Sequence, residues 1–259
     1  MPELPDLTVF AESLEELVLN RKIDAALYHK NKRLNVEPEL FETALKGQKL
    51  TKVRRAGKEL LFELSNGNSF SVHLMLSGGF KLCPKGEEVS SAVLTVDFDD
   101  GHSLVLFDPK GLASVSLNPD MARLAVDALD VTADYLEDRF KKEPRTIVKG
   151  FLIDQRVIAG IGNAYADEIL WQAKISPKSI VGKIPKNVIA ELVSSIHSVL
   201  KNATEYLRKN HHGMISGEVR DFLAVHNRKA KVSPSGAPII VAQVASKKTY
   251  YTEEQTLYS

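Results

Sequence analysis

The chain has 259 residues, 44% hydrophobic and 26% charged, which excludes a disordered or fibrous protein and supplies apolar side chains for one large or two modest cores. A single cysteine, Cys83, excludes an intrachain disulfide and any multi-cysteine zinc site, and fits a reducing, intracellular address. The net charge of +1 conceals a split: residues 1–130 carry 15 Lys and Arg against 20 Asp and Glu, and residues 131–259 carry 19 against 13.

Apolar residues at Leu7, Phe10, Leu14, Leu17 and Val18 follow a helical period behind Pro5, with Asp6 and Glu12 suited to a helix N-terminus, so an amphipathic helix opens the chain. This acidic start does not read as a signal peptide, and no run reaches the roughly 20 apolar residues of a membrane span. A soluble protein with its native start is expected. From about Leu50 to Leu117 the pattern turns to short β-type runs at Leu60–Leu64, Phe70–Leu76, Ala92–Phe98 and Ser103–Phe107, with hairpin signals at Asn66-Gly67 and Asp100-Gly101. An antiparallel sheet or sandwich is expected there. Beyond Asn118-Pro119-Asp120 the helical period returns, with helices expected around 120–127, 133–142, 145–153, 164–174, 186–209 and 217–224. Lys229 to Tyr251 reads as two strands around a Pro-Ser-Gly turn.

Several residues carry chemistry. Aminopeptidases generally remove an initiator Met that precedes a small residue, which would leave Pro2 as a terminal secondary amine. An α-amino group has a pKa of about 7.7–8.0 against about 10.4 for lysine, so part of it is unprotonated near neutrality and able to attack a carbonyl-type carbon. Glu3, directly beside it, is a candidate general acid. Gly160-Ile161-Gly162-Asn163 lacks the third glycine of a dinucleotide fingerprint and reads instead as a glycine turn, placing backbone N–H groups and a helix start against a phosphate. The helix it opens contains Tyr165, Asp167, Glu168 and Trp171, of which Trp171 reads as core.

Met1-Pro2-Glu3-Leu4-Pro5, Arg54-Arg55-Ala56-Gly57-Lys58, His73-Leu74-Met75-Leu76-Ser77-Gly78, Asp154-Gln155, Gly160 to Leu170 and Ile175-Ser176-Pro177 stand in one order across nearly the whole chain. In these segments the chain resembles the formamidopyrimidine/endonuclease VIII family of DNA glycosylases. The resemblance implies an α+β fold: an N-terminal helix and antiparallel β-sandwich over 1–128, a helical domain with a helix–two-turn–helix motif over 129–226, and a hairpin finger over 227–259. It implies a bifunctional base-excision enzyme, working without a cofactor as a monomer on damaged duplex or single-stranded DNA, cytoplasmic and associated with the nucleoid. Pro2 would attack the anomeric carbon of a flipped-out nucleotide, Glu3 would protonate the opening sugar, and elimination from the Schiff base would cut the strand. Lys58 matches the lysine that holds a backbone phosphate near the lesion, while Asn163, Tyr165 and Lys149 match DNA-contacting positions.

Departures from the family pattern matter equally. Zinc-bearing members hold the finger with four cysteines, where this chain has Lys231 to Pro238 and Thr249 to Gln255. A zincless hairpin packed by Ile239, Ile240, Tyr250 and Tyr251 is therefore expected, with no metal site at His211, His212 or His226. The finger arginine aligns with Lys247, adjoined by Lys248, which keeps the charge and loses the bidentate fork. At the wedge that fills the vacated stack, Leu76, or with less support Met75, takes one position; Lys110, Gly111 and Leu112 stand where Arg-Arg-Phe is usual. Poor discrimination of the opposite base follows, unless Lys110 substitutes. After Arg220-Asp221-Phe222 the long loop that closes over oxidised purines is missing, which favours oxidised pyrimidines, hydantoins and single-stranded lesions. A non-catalytic damage-binding member of the same fold is the alternative. An unrelated N-terminal-proline enzyme acting on small carbonyl compounds would account for Pro2 but not for the helical motif.

Overall fold

The computed structural model describes residues 1–29 and 33–259 and divides into two compact units, Met1–Met121 with Tyr206–Glu218, and Ala122–Glu205 with Val219–Ser259. In the first unit, helix α1 (Leu4–Val18) precedes strand β1 (Ile23–Tyr28), helix α2 (Pro38–Leu45) and seven further strands. These are β2 (Leu50–Ala56), β3 (Glu59–Leu64), β4 (Ser69–His73), β5 (Gly79–Pro84), β6 (Ala92–Phe98), β7 (His102–Phe107) and β8 (Ser114–Leu117). They form two four-stranded antiparallel sheets in the orders β1-β6-β7-β5 and β2-β3-β4-β8. Alternation turns Leu94, Val96, Leu104 and Leu106 of one sheet, and Leu60, Phe62, Phe70 and Val72 of the other, into a single core. Phe62 of β3 stacks on Phe70 at 4.6 Å and meets Phe80 of β5 at 5.7 Å, so the aromatic contacts bridge both sheets.

The period read from the sequence decides which face of α1 is buried: Leu7, Phe10, Leu14 and Val18 all join that core. Its polar face is tied to β2, where Glu15 accepts from the Val53 backbone N–H at 2.9 Å and Thr8 from Arg55 Nε at 3.1 Å.

The second unit holds α3 (Ala133–Lys142), α4 (Val148–Ile153), α5 (Asn163–Gln172) and most of α6 (Lys186–Asn210), followed by the hairpin β9 (Ile240–Val244) and β10 (Lys247–Tyr251). Leu136, Phe140, Phe151, Leu152, Ile169 and Leu192 are buried there. Thr132 caps α3 by accepting from Tyr135 N at 3.2 Å. Gln155 staples the glycine turn before α5, accepting from Gly160 N at 3.0 Å and donating to Ile161 O at 2.8 Å and Ile153 O at 2.9 Å.

Three expected elements take another form. Residues 120–127 hold only a short 3₁₀ turn, Met121–Arg123, because Val126 and Ala128 exchange backbone hydrogen bonds with Ala159. Residues 217–224 are not helical: Leu223 N–H closes a turn onto Arg220 O at 3.3 Å, and Ala224 N–H, with those of Val225 and His226 beyond the segment, goes to the Glu168 carboxylate. In the C-terminal segment the strands turn at Ala245-Ser246, whereas the Pro234-Ser235-Gly236 turn closes only the single bridge Val232↔Pro238.

Candidate active site and DNA-contacting residues

Pro2 and Glu3 are buried at the entrance to α1, with Glu3 in the N-cap position and its backbone N–H donating to Asp6 Oδ2 at 2.9 Å. With Met1 in place, the terminal ammonium pairs with Glu218. Lys58, also buried, sits on the two-residue turn between β2 and β3, where Ala56 pairs with Glu59. Gly57 takes a φ of +57° in that turn, the conformation a type II′ hairpin asks of its first central residue. The Thr8–Arg55 bond fastens the second turn of α1 to the strand that leads straight into Gly57-Lys58.

Two further loops belong to the same unit. Residues 74–78 form a tight turn closed by Gly78 N–H donating to Leu74 O at 2.9 Å; a Cβ on Gly78 would lie 2.5 Å from that oxygen, so only glycine fits. Met75 takes a φ of +54° and donates to His73 Nδ1 at 3.0 Å. The ring proton of neutral His73 therefore sits on Nε2. Leu76, at the tip, is 51% exposed. The second loop, 108–113, exposes Lys110 and leaves Leu112 half-buried. Asp108, itself buried, accepts from Lys110 N at 3.1 Å, Ala113 N at 2.7 Å, Leu112 N and the Ser77 hydroxyl. Burial pushes its carboxyl up, but the Ser77 hydroxyl and these N–H groups more than offset that and hold it below the usual carboxylate range.

In the second unit, Lys149, Asn163 and Lys248 converge. Lys149 Nζ is fully buried and donates to Asp167 Oδ1 at 2.6 Å, Thr249 Oγ1 at 2.6 Å and Lys248 O at 3.4 Å. Asn163, half-buried at the start of α5, donates to the same Lys248 carbonyl at 2.9 Å. The other oxygen of Asp167 accepts from Tyr250 N at 2.9 Å and faces His226 Nδ1 at 2.7 Å. His226 is thus an internal partner of Asp167. Lys247 and Lys248 are exposed on β10, the latter with its ammonium 5.3 Å from the Tyr250 ring centre. Tyr165 is fully buried beneath the Arg220 guanidinium, 5.3 Å from its ring.

Of the four residues expected to pack the hairpin, Tyr250 is the buried one. Ile239, Ile240 and Tyr251 are only half-buried, while Thr249, Tyr250, Thr252 and Gln255 are buried. Where zinc-bearing relatives place cysteines, Ser235 and Thr252 donate to Glu254 Oε2 at 2.7 and 3.1 Å, and Ser233 bonds to Ser235 at 2.7 Å. Thr249 and Asp108 were not singled out from sequence, and Asp167 and Glu168 were placed on the helix without a role. The available signal was two adjacent carboxylates on an otherwise apolar helix, since buried charges require partners.

Residues 1–115 match the formamidopyrimidine-DNA glycosylase N-terminal domain and residues 124–212 the formamidopyrimidine-DNA glycosylase H2TH domain. The formamidopyrimidine-DNA glycosylase of Ureaplasma parvum is 32% identical, covering 97% of this chain and 98% of its own. The chain belongs to the formamidopyrimidine-DNA glycosylase family. The Mycoplasma genitalium enzyme of that name is also 32% identical, over 88% of this chain and 86% of its own. Among solved structures, MutM in complex with DNA containing carbocyclic 8-oxo-G superposes with a TM-score of 0.88 at 24% identity, covering 98% of this chain and all of the other. Lactococcus lactis Fpg with abasic-site DNA gives 0.86 at 23%, covering 96% and 97%. Among the described residues, no helix is long and apolar enough to cross a membrane.

Proposed function

We propose that the chain is a base-excision DNA glycosylase with AP-lyase activity that removes oxidised or ring-opened bases. The observation that carries this reading is the Pro2-Glu3 pair at the buried entrance of α1, in the same packed unit as Lys58 on its rigid hairpin turn. Once Met1 is removed, the Pro2 amine attacks C1′ of a nucleotide turned out of the stack, and the damaged base departs with the glycosidic electron pair. Glu3 gives its proton to O4′ as the ring opens, and the amine loses its own proton as the C1′ iminium forms. Loss of a C2′ proton then expels the 3′ phosphate, cutting the strand. Lys58 holds a phosphate beside the reacting sugar as a compact point charge.

Lys247, Lys248 and Asn163 supply backbone contacts, with Lys149 and Tyr165 supporting those segments from inside. Leu76, Lys110 and Leu112 enter the duplex where the base has left. The short 217–226 segment favours oxidised pyrimidines, hydantoins and lesions in single strands over 8-oxoguanine. The substrate locates the protein with the cell's DNA. Borohydride reduction in the presence of abasic-site DNA should trap a covalent complex through Pro2. Absence of trapping in protein whose N-terminus is verified as Pro2 would overturn catalysis and leave a damage-binding member of the same fold.

A further inference from the structure

We infer that Asp108 is a positioning residue that locks the two wedge-bearing loops into one rigid body, so that Leu76 and Leu112 enter DNA together. The inference rests on the reading of Leu76, Lys110 and Leu112 as the wedge. It stands on four contacts made by one buried carboxylate. Oδ1 accepts from the Ser77 hydroxyl of the 74–78 turn and from Lys110 N of its own loop at 3.1 Å. Oδ2 accepts from Leu112 N and from Ala113 N at 2.7 Å. The residues bonded to Asp108 therefore include both neighbours and members of the wedge: Ser77 follows Leu76, while Lys110 and Leu112 bond to it directly.

The geometry explains how an apolar tip can stay exposed. A leucine held out in water gains by folding back, so something must hold the turn in shape. Met75 at φ +54° carries the backbone strain of a left-handed conformation in a residue with a Cβ. The Leu74–Gly78 bond, the His73–Met75 bond and the Ser77–Asp108 bond close the turn against that strain. Of these, only Ser77–Asp108 reaches outside the turn's own neighbourhood, 31 residues along the chain. A charge-assisted bond is about twice as strong as a neutral one, which suits it to fixing two loops that push against stacked bases. Glycine at position 111 leaves its loop without a side chain at that point, so the loop is held by Gly111 N–H donating to Asp108 O at 3.0 Å and by the Asp108 carboxylate contacts to positions 110, 112 and 113.

The test separates duplex from single-stranded DNA, because only a duplex has a stack to invade. Ser77→Ala removes the bond between the loops and leaves the 108–113 turn intact; Asp108→Asn weakens both. Wedge entry is read by stopped-flow fluorescence of 2-aminopurine opposite a tetrahydrofuran abasic analogue, and cleavage on abasic DNA in both strand contexts. Ser77→Ala is expected to slow wedge entry and lower kcat on the duplex by about tenfold, with KM and single-strand cleavage as in the wild type. Asp108→Asn should act in the same direction and more strongly. Equal losses on duplex and single strand would assign Asp108 a merely structural role and overturn the inference. Wild-type wedge entry in Ser77→Ala alongside slowed entry in Leu76→Ala would overturn the coupling and leave the wedge standing. Normal entry in Leu76→Ala as well would overturn the wedge reading itself.

Discussion

At the residue scale, the two kinds of lysine in the second unit should behave differently on mutation. Lys149 is sealed against Asp167 and Thr249, so Lys149→Ala leaves a buried carboxylate without its cation and should cost about 3–5 kcal/mol in a denaturant titration. Lys247 and Lys248 are exposed, and their alanine variants should leave stability nearly unchanged. Each should instead reduce the salt dependence of DNA binding by about 1 in the log–log slope. Two buried carboxylates have opposite pH signatures. Asp108, held below the usual range, contributes stability above about pH 3.9 that is lost as pH falls through its folded value. Burial pushes the Glu168 carboxyl up, outweighing the N–H groups of His226, Val225 and Ala224. Its contribution is complete below about pH 4.3 and is lost as pH rises through its raised folded value. Glu168→Gln should therefore flatten the pH dependence of thermal unfolding on the alkaline side of that point, while losing about 1–2 kcal/mol at acid pH through the N–H left unmatched.

At the element scale, the Ala245-Ser246 turn has φ values of +49° and +60°, the pattern of a type I′ hairpin built from residues that dislike it. Ala245→Asn with Ser246→Gly should stabilise the finger by about 1 kcal/mol, seen as slower amide exchange across β9 and β10. This turn was illegible in the sequence because Ala-Ser carries none of the Asn-Gly chemistry that marks one, while Pro234-Ser235-Gly236 carries it without starting a ladder. Helices α1, α3 and α6 were legible because their apolar period matches the face they bury, whereas α5 is buried continuously from Ala164 to Leu170 and was marked by the glycine turn that opens it. The helix expected at 217–224 had a plausible local pattern, but its last N–H, at Ala224, and the two that follow are bound by a distant carboxylate. Of the proposed catalytic residues, Pro2 and Glu3 stood out by their own chemistry, a terminal secondary amine beside a carboxylic acid, whereas Lys58 was carried by the family resemblance alone. The Lys149–Asp167–His226 cluster was not legible, since its members lie 18 and 59 residues apart and nothing local pairs them.

For the whole molecule, the chain passes between its units at 121/122, 205/206 and 218/219, so neither unit is one continuous segment. The returning stretch belongs to the first unit's packing: Phe80 N–H donates to Ile215 O at 3.1 Å, Arg208 grips Glu12 at 2.6 and 2.8 Å, and Met214 and Ile215 pack on the core. A fragment of residues 1–121 should consequently be protease-sensitive and lack a cooperative melt, whereas adding 206–218 in trans should restore protection to β5. The excess of Lys and Arg lies in residues 131–259, so the net charge of +1 understates the basic charge that this half of the chain carries.

Glu168 has one more consequence. By clamping the N–H groups of residues 224, 225 and 226, it fixes the downstream end of the segment that follows Phe222 independently of what lies before it. Extra residues spliced ahead of Leu223 would lengthen a surface excursion whose far anchor is already nailed down, at a closure cost that grows only slowly with length. An insertion at this point should therefore leave residues 224–226 and their bonds to Glu168 in place, seen as unchanged amide protection there.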